Sequence, residues 1–394
     1  GKYELESDLM TLSDVNFDGK ITASDALLIL QRSVGKISGF ARDGIIKHGD
    51  YMSKINIEGT RLVTPFYGSK TPVVAVADVI YFGAVGDGVA DDTAAFRKAL
   101  NFASRLGGGT VFVPVGKYKI TGSLVIPDGV TLRGDAPDVP DTGEVLGTVI
   151  YSYVGMDDED GLSLFRINAG SAVKNMAVYY PEQKADNIRP CSYTFKEEDQ
   201  YGPTIESILL VNSYNGICFG PRVNALQTVR NVYGTVLKNG YYIDYNVDIC
   251  RVENVGFSPD YWIKSGLDSV DEAALRSFVK ENCIAFLVEN VDWTYMNDIS
   301  VDGAYIAYKT GFSSRRDGGG SCNGEMYNFR FENCEYGYYG EYVNDIGHMF
   351  TNGTVIARVP VCMADTFTTS ATFNNVLLQS TGDSAVMLSK GSMS

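Results

Sequence analysis

The chain has 394 residues, a length that allows one large domain plus a small one. Its formal net charge of −15, with no basic run, argues against binding to nucleic acid or to an anionic membrane surface. No apolar run is long enough to span a bilayer. The 25 tyrosines and 42 glycines, against 2 tryptophans, favour turn-rich β structure over helices.

The N-terminal segment from Asp14 to Asp25 has the form of a twelve-residue calcium loop. Side-chain oxygens recur at its first, third, fifth and last positions, and a glycine at the sixth permits a sharp turn. A hard cation needs about six to eight oxygen ligands, and this spacing wraps them around one point. The predicted ligands are the side chains of Asp14, Asn16, Asp18 and Asp25 and the backbone carbonyl of Lys20.

The stretch DVNFDGKITASDALLILQRSVGKI resembles the repeat of a dockerin, the module that anchors carbohydrate-active enzymes to cohesins. The resemblance implies a bound Ca²⁺ and a cohesin as partner. Dockerins usually carry two such repeats, and no second one is found here, so a calcium-stabilised appendage without a partner is the alternative. We assign residues 1–36 to this module and 37–75 to a linker or wrapping segment.

Residues 76–394 are predicted to form a single β-rich domain. A strand and a glycine-rich turn precede a predicted helix from about Thr93 to Arg105, which Gly107-Gly108-Gly109 ends. Short strands separated by single turns follow, without the alternation of strands and helices typical of α/β folds. Short parallel strands without crossover helices can stack as the coils of a solenoid.

An asparagine recurs at the end of strand-like runs. Its positions are Asn175, Asn231, Asn254, Asn290, Asn333, Asn352 and Asn375, with Asn212 as a weaker member. Counting Asn212, separations of 19 and 23 residues fit one coil, and those from 36 to 43 fit two coils or a coil with an inserted loop. Stacked asparagine side chains can hydrogen-bond along the axis from coil to coil.

Residues 79–135, from VIYFGAVGDGVADDTAAFRKAL to GVTLRGD, resemble the opening of the pectate-lyase-like superfamily. The resemblance implies an all-β, right-handed parallel β-helix with an N-terminal capping helix. That superfamily includes polysaccharide lyases, polygalacturonases, exo-glucanases and phage tailspikes, and function must come from the site. The signatures of known polygalacturonases and calcium pectate lyases are missing from this chain.

The strongest candidate for chemistry is the segment from Glu289 to Asp298, because it combines carboxylates with aromatic rings that can stack on sugars. Glycoside hydrolysis uses a pair of carboxylates. Asp292 and Glu335 each follow a recurring asparagine by two residues, so we expect both on one side of the solenoid, one or two coils apart. Glu182 is the alternative partner for Asp292.

Further residues are predicted to bind substrate: Trp293, Tyr295, Tyr180, Trp262, Asp244, Arg251 and Arg315. The structural alternative is that the aromatic rings cover the flank of the solenoid and that the charges form a hydrated surface. The seven cysteines show no metal-type pairing and are interpreted as small buried hydrophobic residues.

The sequence therefore predicts a secreted, calcium-binding protein that acts on a polysaccharide. The first hypothesis is a glycoside hydrolase, and the acidic chain suits a neutral glycan better than an acidic polymer. The second is a polysaccharide lyase with Arg315 or Arg251 near a uronate. The third is a non-catalytic glycan-binding or adhesive protein. Because the chain starts at Gly1 without Met, we expect that a leader was removed.

Overall fold

The computed structural model describes residues 75–394, apart from 136–144, 199–200, 221, 314–321 and 345, together with four helical residues nearer the N-terminus: Ala23, Ala26, Leu27 and Leu30. The five predicted calcium ligands and Arg315 lie outside the described residues. Within the described part of the chain, no helix is long and apolar enough to cross a membrane.

The first half of the fold consists of short strands and one long helix. The elements are β1 (Ala77–Asp78), β2 (Asp87–Asp91), α1 (Thr93–Arg105), β3 (Gly109–Phe112), β4 (Gly116–Ile120), β5 (Leu124–Ile126), β6 (Val130–Arg133), β7 (Thr148–Ser152), β8 (Phe165–Ile167), β9 (Ala172–Tyr179) and β10 (Tyr193–Glu197). The predicted helix is confirmed at its predicted bounds. Its buried face, which includes Ala95, Ala99 and Phe102, packs against β1, β3, β5 and β6.

Longer strands dominate the second half. They are β11 (Thr204–Phe219), β12 (Thr228–Ile243), β13 (Asn246–Phe257), α2 (Asp260–Ile263), α3 (Glu272–Asn282), β14 (Ile284–Val288), β15 (Val291–Asp302), β16 (Ile306–Thr310), β17 (Cys322–Gly340), β18 (His348–Met363), β19 (Ser370–Ser380), β20 (Val386–Leu388) and β21 (Ser392–Met393). Several of these strands bend at a corner and contribute to two sheets.

The strands pair in parallel with the strand one coil further along, which confirms the predicted parallel β-helix. Sheet 1 contains β9, the first parts of β11 and β12, β13, β15, the first parts of β17 and β18, and β19. Sheet 2 contains β8, β10, the last parts of β11 and β12, β14, β16, the last parts of β17 and β18, and β20. The right-handed sense of the coils stays a prediction.

The core consists of buried side chains stacked in register from coil to coil. Sheet 1 contributes Val173, Ile205, Val229, Val252, Met296, Met326 and Phe350, and sheet 2 contributes Phe195, Ile217, Tyr241, Phe286, Tyr308, Tyr338 and Val361. Each large apolar side chain stabilises the fold by about 1.5–3 kcal/mol relative to exposure. All seven cysteines are free and six are buried, as predicted.

Two polar contacts join buried side chains in the core. The Tyr338 hydroxyl lies 2.9 Å from Thr310 Oγ1, and the Tyr308 hydroxyl lies 3.1 Å from His348 Nε2. Burial lowers the pKa of His348 to about 4, which keeps its imidazole neutral at physiological pH. His348 is therefore part of the packed interior.

One corner of the coil is formed by a row of residues with left-handed backbone. The row is Asn175, Ser207, Asn231, Asn254, Asp298, Asn328, Asn352 and Asn375, with φ between 53° and 58°. Asparagine tolerates this conformation better than other residues with a side chain. The Asn254 side chain donates to Asn231 Oδ1 at 2.8 Å, and Asn375 donates to Asn352 Oδ1 at 2.9 Å. The predicted recurrence of asparagine at one corner of the coil is thus confirmed at five positions, and hydrogen bonding between stacked asparagines is confirmed for two pairs.

The ladder does not include Asn212, Asn290 or Asn333, so the prediction is wrong for these three. Asp298 and Asn328 occupy the ladder positions of the two coils that Asn290 and Asn333 were expected to mark. Asn290 instead precedes β15, and the Asn333 side chain donates to Asp302 Oδ1 at 2.6 Å. The positions predicted for Asp292 and Glu335 were counted from Asn290 and Asn333, so they do not hold either.

Candidate functional site

Acidic side chains follow the last strand residues of sheet 2. Asp244 follows β12, Glu289 follows β14 and Glu341 follows β17. The Glu289 N–H donates to the Ile243 carbonyl at 3.0 Å, the Gly311 N–H to Val288 at 2.9 Å and the Glu341 N–H to Thr310 at 2.9 Å. Asp244, Glu289, Gly311 and Glu341 therefore occupy one position on four successive coils.

Gly311 leaves a gap between Glu289 and Glu341. A methyl group built on Gly311 would lie 3.3 Å from Glu341 Oε2, 3.8 Å from Glu289 Cγ and 3.8 Å from Lys309 Cε. Glu289 Cγ and Glu341 Oε2 are therefore at most about 7 Å apart, a separation compatible with a carboxylate pair acting on one glycosidic bond. The glycine brings together two side chains whose backbones are two coils apart.

Glu289 has the electrostatic environment of an acid that holds its proton near neutral pH. Burial raises its pKa from 4.5 to about 7, and the charges of Asp244 and Glu341 act in the same direction. A hydrogen bond of 3.0 Å from the Tyr242 hydroxyl to Glu289 Oε2 and the positive charge of Lys309 partly oppose this shift.

Glu341 differs from Glu289 because a cation lies against it. Lys309 Nζ is 2.8 Å from Glu341 Oε1, and the two side chains are 20% and 32% exposed. The Lys309 ammonium also lies 5.7 Å from the centre of the Tyr339 ring. Because both groups of this ion pair are half-buried, the pair is held in place rather than fully solvated.

Asp244 belongs to the same row of acids but does not reach the surface. It is fully buried, and it accepts hydrogen bonds from the Asn290 N–H at 3.3 Å and from Ser313 Oγ at 2.9 Å. The expectation that Asp244 binds substrate directly is therefore wrong in this structure, since its carboxylate has no exposed surface. Its negative charge acts on Glu289 instead.

Aromatic rings border the acidic group. Tyr193 and Tyr242 stack with ring centres 6.5 Å apart and planes at 26°, and Phe312 lies 4.6 Å from the Tyr342 ring. The Phe312 side chain is 42% exposed. Exposed ring faces beside carboxylates and a lysine are the combination that binds sugar rings and their hydroxyls.

The structure does not bring together the carboxylates predicted from the sequence. Asp292 is exposed near the start of β15, where the neighbouring Val291 pairs with Cys322. Glu335 lies near the opposite end of β17 and forms an ion pair with Arg358. The expected pairing of Asp292 with Glu335 is therefore wrong, because Asn333 is not in the ladder from which Glu335 was counted.

Glu182, Tyr180 and Trp262 do not form the predicted site either. Glu182 is in the loop between β9 and β10 and forms a 3.3 Å ion pair with Arg189, several coils from Asp292. Tyr180 and Trp262 are buried; the Tyr180 hydroxyl lies 3.0 Å from Thr194 Oγ1, and Trp262 Nε1 donates to Asp268 at 2.9 Å. The expectation that these two rings stack on sugars is therefore wrong.

Three predicted substrate-binding residues do meet on the outer face of sheet 1. Arg251 pairs in register with Tyr295, and the rings of Trp293 and Tyr295 are 6.3 Å apart. Arg251 and Tyr295 are exposed. A sugar-binding role for this group stays a prediction, and it lies on a different sheet from Glu289 and Glu341.

Sequence reasoning missed Glu289, Glu341, Lys309 and Tyr242 as a group. A signal for them was present: in Ile243-Asp244, Val288-Glu289 and Gly340-Glu341 an acid directly follows the second strand-like run of a coil. Aligning those second runs, instead of the asparagines, would have placed the acids in one row. Among the described residues, no group of three or more His, Cys, Asp or Glu side chains has the arrangement of a metal site.

Comparison with known proteins finds a family match in the opening coils and partial similarity to several individual proteins. Residues 76–152 match a family described as "Rhamnogalacturonase A/epimerase, pectate lyase-like". Mannuronan C5-epimerase AlgE2 of Azotobacter vinelandii is 36% identical over 98 residues, which are 25% of this chain and 10% of the relative. Alginate lyase 7 of the same organism is 25% identical over 188 residues, 45% of this chain and 22% of the relative.

Among solved structures, a tailspike protein mutant of E. coli bacteriophage HK620, in complex with a pentasaccharide, aligns with 79% of this chain and 59% of its own. The identity is 13% and the TM-score is 0.46, values too low to support an inference about function. The chain spans about a tenth of the length of the first epimerase relatives that it matches.

Proposed function

We propose that this chain is a carbohydrate-active enzyme that hydrolyses a neutral polysaccharide, with Glu289 as the acid and Glu341 as its ionised partner. The observation that carries the proposal is the pair of carboxylates converging over Gly311 from two different environments. Glycosidases assign the roles of proton donor and anion to two neighbouring acids by placing them in different environments.

In the reaction, protonated Glu289 donates its proton to the glycosidic oxygen while the bond from that oxygen to the anomeric carbon breaks. Glu341 either accepts a proton from the water that attacks the anomeric carbon or attacks that carbon itself and is released by water afterwards. Both routes consume one water and yield one new reducing end. Lys309 positions the Glu341 carboxylate, and Asp244 favours the protonated form of Glu289.

The test measures release of reducing sugar from a panel of plant and microbial glycans. Glu289→Gln and Glu341→Gln should each lower turnover at least about 100-fold, because each removes a proton-transfer or nucleophilic role. Asp292→Asn, a change at the exposed carboxylate predicted from the sequence, should leave turnover unaltered. Full activity in either glutamine variant, with loss in Asp292→Asn, would instead support the assignment made from the sequence.

A second candidate is a uronate lyase or epimerase, which the matches to mannuronan epimerases and an alginate lyase favour. Such chemistry requires neutralisation of the uronate carboxylate, and Arg251 is the exposed described cation that the sequence suggested for it. The group around Glu289 is predominantly negative and would repel a uronate. New ultraviolet absorbance from an unsaturated product would identify the lyase, and binding of a glycan without any product would identify a non-catalytic binder.

We also propose that the loop from Asp14 to Asp25 binds Ca²⁺, that the protein is secreted, and that the loop is part of a dockerin-like module that can bind a cohesin. The support is the ligand spacing. Asp14→Ala should abolish calcium uptake in titration calorimetry. Lys20→Ala is the matched control and should retain it, because Lys20 would ligate through its backbone carbonyl. Equal uptake by Asp14→Ala and the unaltered protein would reject the calcium loop.

A further inference from the structure

A pocket of about 440 Å³ lies between helix α3 and the coil that contains the end of β17. It is lined by Ser277, Lys280 and Glu281 of the helix and by Tyr305 and Glu335 of the β-helix. The Lys280 and Glu281 side chains are exposed on the surface of α3. The pocket therefore offers one aromatic ring, two hydroxyls and charges of both signs to a ligand.

A strip of tyrosine rings connects this pocket with the acidic group. Tyr305 contacts Tyr336 with ring centres 5.6 Å apart, and Tyr336 contacts Tyr339 at 5.4 Å, both edge to face. Tyr339 lies beneath the Lys309 ammonium, which pairs with Glu341. Each of the three tyrosines is partly exposed.

The strip also has the length of a polymer-binding surface. Tyr336, Tyr339 and Glu341 follow one another along the end of β17, and five residues of extended strand span about 17 Å. Next to Tyr336, the Arg358 guanidinium lies 5.7 Å from the ring centre and pairs with Glu335. Arginine stacked on a tyrosine gives a flat surface that also donates hydrogen bonds.

We propose that the strip formed by Tyr339, Tyr336 and Tyr305, together with the pocket beneath α3, binds the sugar units of a neutral glycan that lie beyond the bond cleaved at Glu289 and Glu341. The inference rests on the proposed function for the position of the cleaved bond. The strip favours stacking on sugar faces. The pocket is lined by one cation, Lys280, and two anions, Glu281 and Glu335, and Glu335 is also paired with Arg358. Its lining therefore suits hydroxyls better than carboxylates.

The experiment measures binding to the full chain carrying Glu289→Gln, by titration calorimetry. The probes are neutral oligosaccharides from disaccharide to hexasaccharide, prepared from cellulose, xylan and mannan. Tyr305→Ala should weaken binding of the longest bound oligosaccharides about threefold to tenfold, with no effect on the shortest, because only long chains reach the pocket. Tyr305→Phe should restore the affinity, and Tyr327→Ala, an exposed tyrosine on sheet 1, should change nothing.

Lys280→Ala provides a second test, because its change is confined to the exposed surface of α3 and leaves the core intact. Lys280→Ala should weaken binding of the long oligosaccharides and leave binding of the short ones unchanged. If Tyr305→Ala and Lys280→Ala both bind every length as well as the parent, the inference is wrong, even where the unaltered enzyme cleaves the glycan. If they lose affinity for long chains but no glycan is cleaved, the binding strip stands and the proposed hydrolysis fails.

Discussion

Replacing Glu289 by glutamine should make the protein more stable at alkaline pH while it abolishes turnover. Glu289 has a pKa of about 7 in the folded protein and 4.5 when unperturbed. Below about pH 4.5 the group is protonated in both the folded and the unfolded protein, and its contribution to the free energy of unfolding is absent. As the pH rises from about 4.5 to 7, the unfolded chain releases its proton first, so the folded state loses stability.

The magnitude follows from the size of the shift. Each pKa unit corresponds to about 1.4 kcal/mol, so a shift from 4.5 to about 7 gives about 3–4 kcal/mol as an upper bound. Glu289 is partly exposed, and solvent screening reduces this to about 1–2 kcal/mol above pH 7. Glutamine keeps the shape and the capacity to accept the Tyr242 hydrogen bond without becoming charged.

The assay is urea unfolding of the unaltered protein and of Glu289→Gln at about pH 5 and about pH 9, with the difference in free energy of unfolding compared between the two conditions. The variant should gain about 1–2 kcal/mol relative to the unaltered protein on going to the higher pH. Glu253→Gln, which removes an exposed carboxylate from sheet 1, serves as the control. The same pH dependence in all three proteins would refute the argument that burial holds the proton on Glu289.

Three other predictions test the geometry. Gly311→Ala should reduce turnover with little change in unfolding, since its methyl group would enter the gap beside Glu341 Oε2; activity equal to that of the unaltered protein would show that the gap is not used. Asn254→Ala should lower the free energy of unfolding by about 2 kcal/mol, because it removes a side-chain hydrogen bond and places alanine in a left-handed backbone conformation. The control Asn374→Ala, at an exposed position, should change the free energy of unfolding by less than about 0.5 kcal/mol. Phe350→Ala should cost about 3–5 kcal/mol in the same assay because its ring is buried against Phe373, and a loss no larger than that of the exposed Leu377→Ala would contradict the packing.

The fold could be predicted from the sequence because its signals are local. The opening helix is defined by an apolar face between a glycine-rich turn and three glycines, and it begins and ends where expected. Asparagine at the corner of the coil is favoured by its own backbone preference, so Asn231, Asn254, Asn352 and Asn375 mark their coils without knowledge of any neighbour.

The site could not be predicted in the same way because it depends on alignment between coils. Asn333 has the same sequence context as a ladder residue, yet Asn328 occupies the ladder, and the difference moves Glu335 to the far side of the coil from Asp292. The insertion that contains α2 and α3 changes the length of its coil. Burial of Tyr180 and Trp262 is likewise a property of packing, which residue type alone does not reveal.

The coil formed by β19 and β20 has a consequence for local stability. The strand β20 of that coil exposes Val386 and Leu388, whereas Val361 and Met363, their partners one coil away, are buried. In a protein whose units contact only their neighbours, opening starts from the least covered unit and spreads inwards. The coil that carries Glu341 is two coils away from these exposed side chains, so its backbone amides should exchange hydrogen more slowly than those of β20.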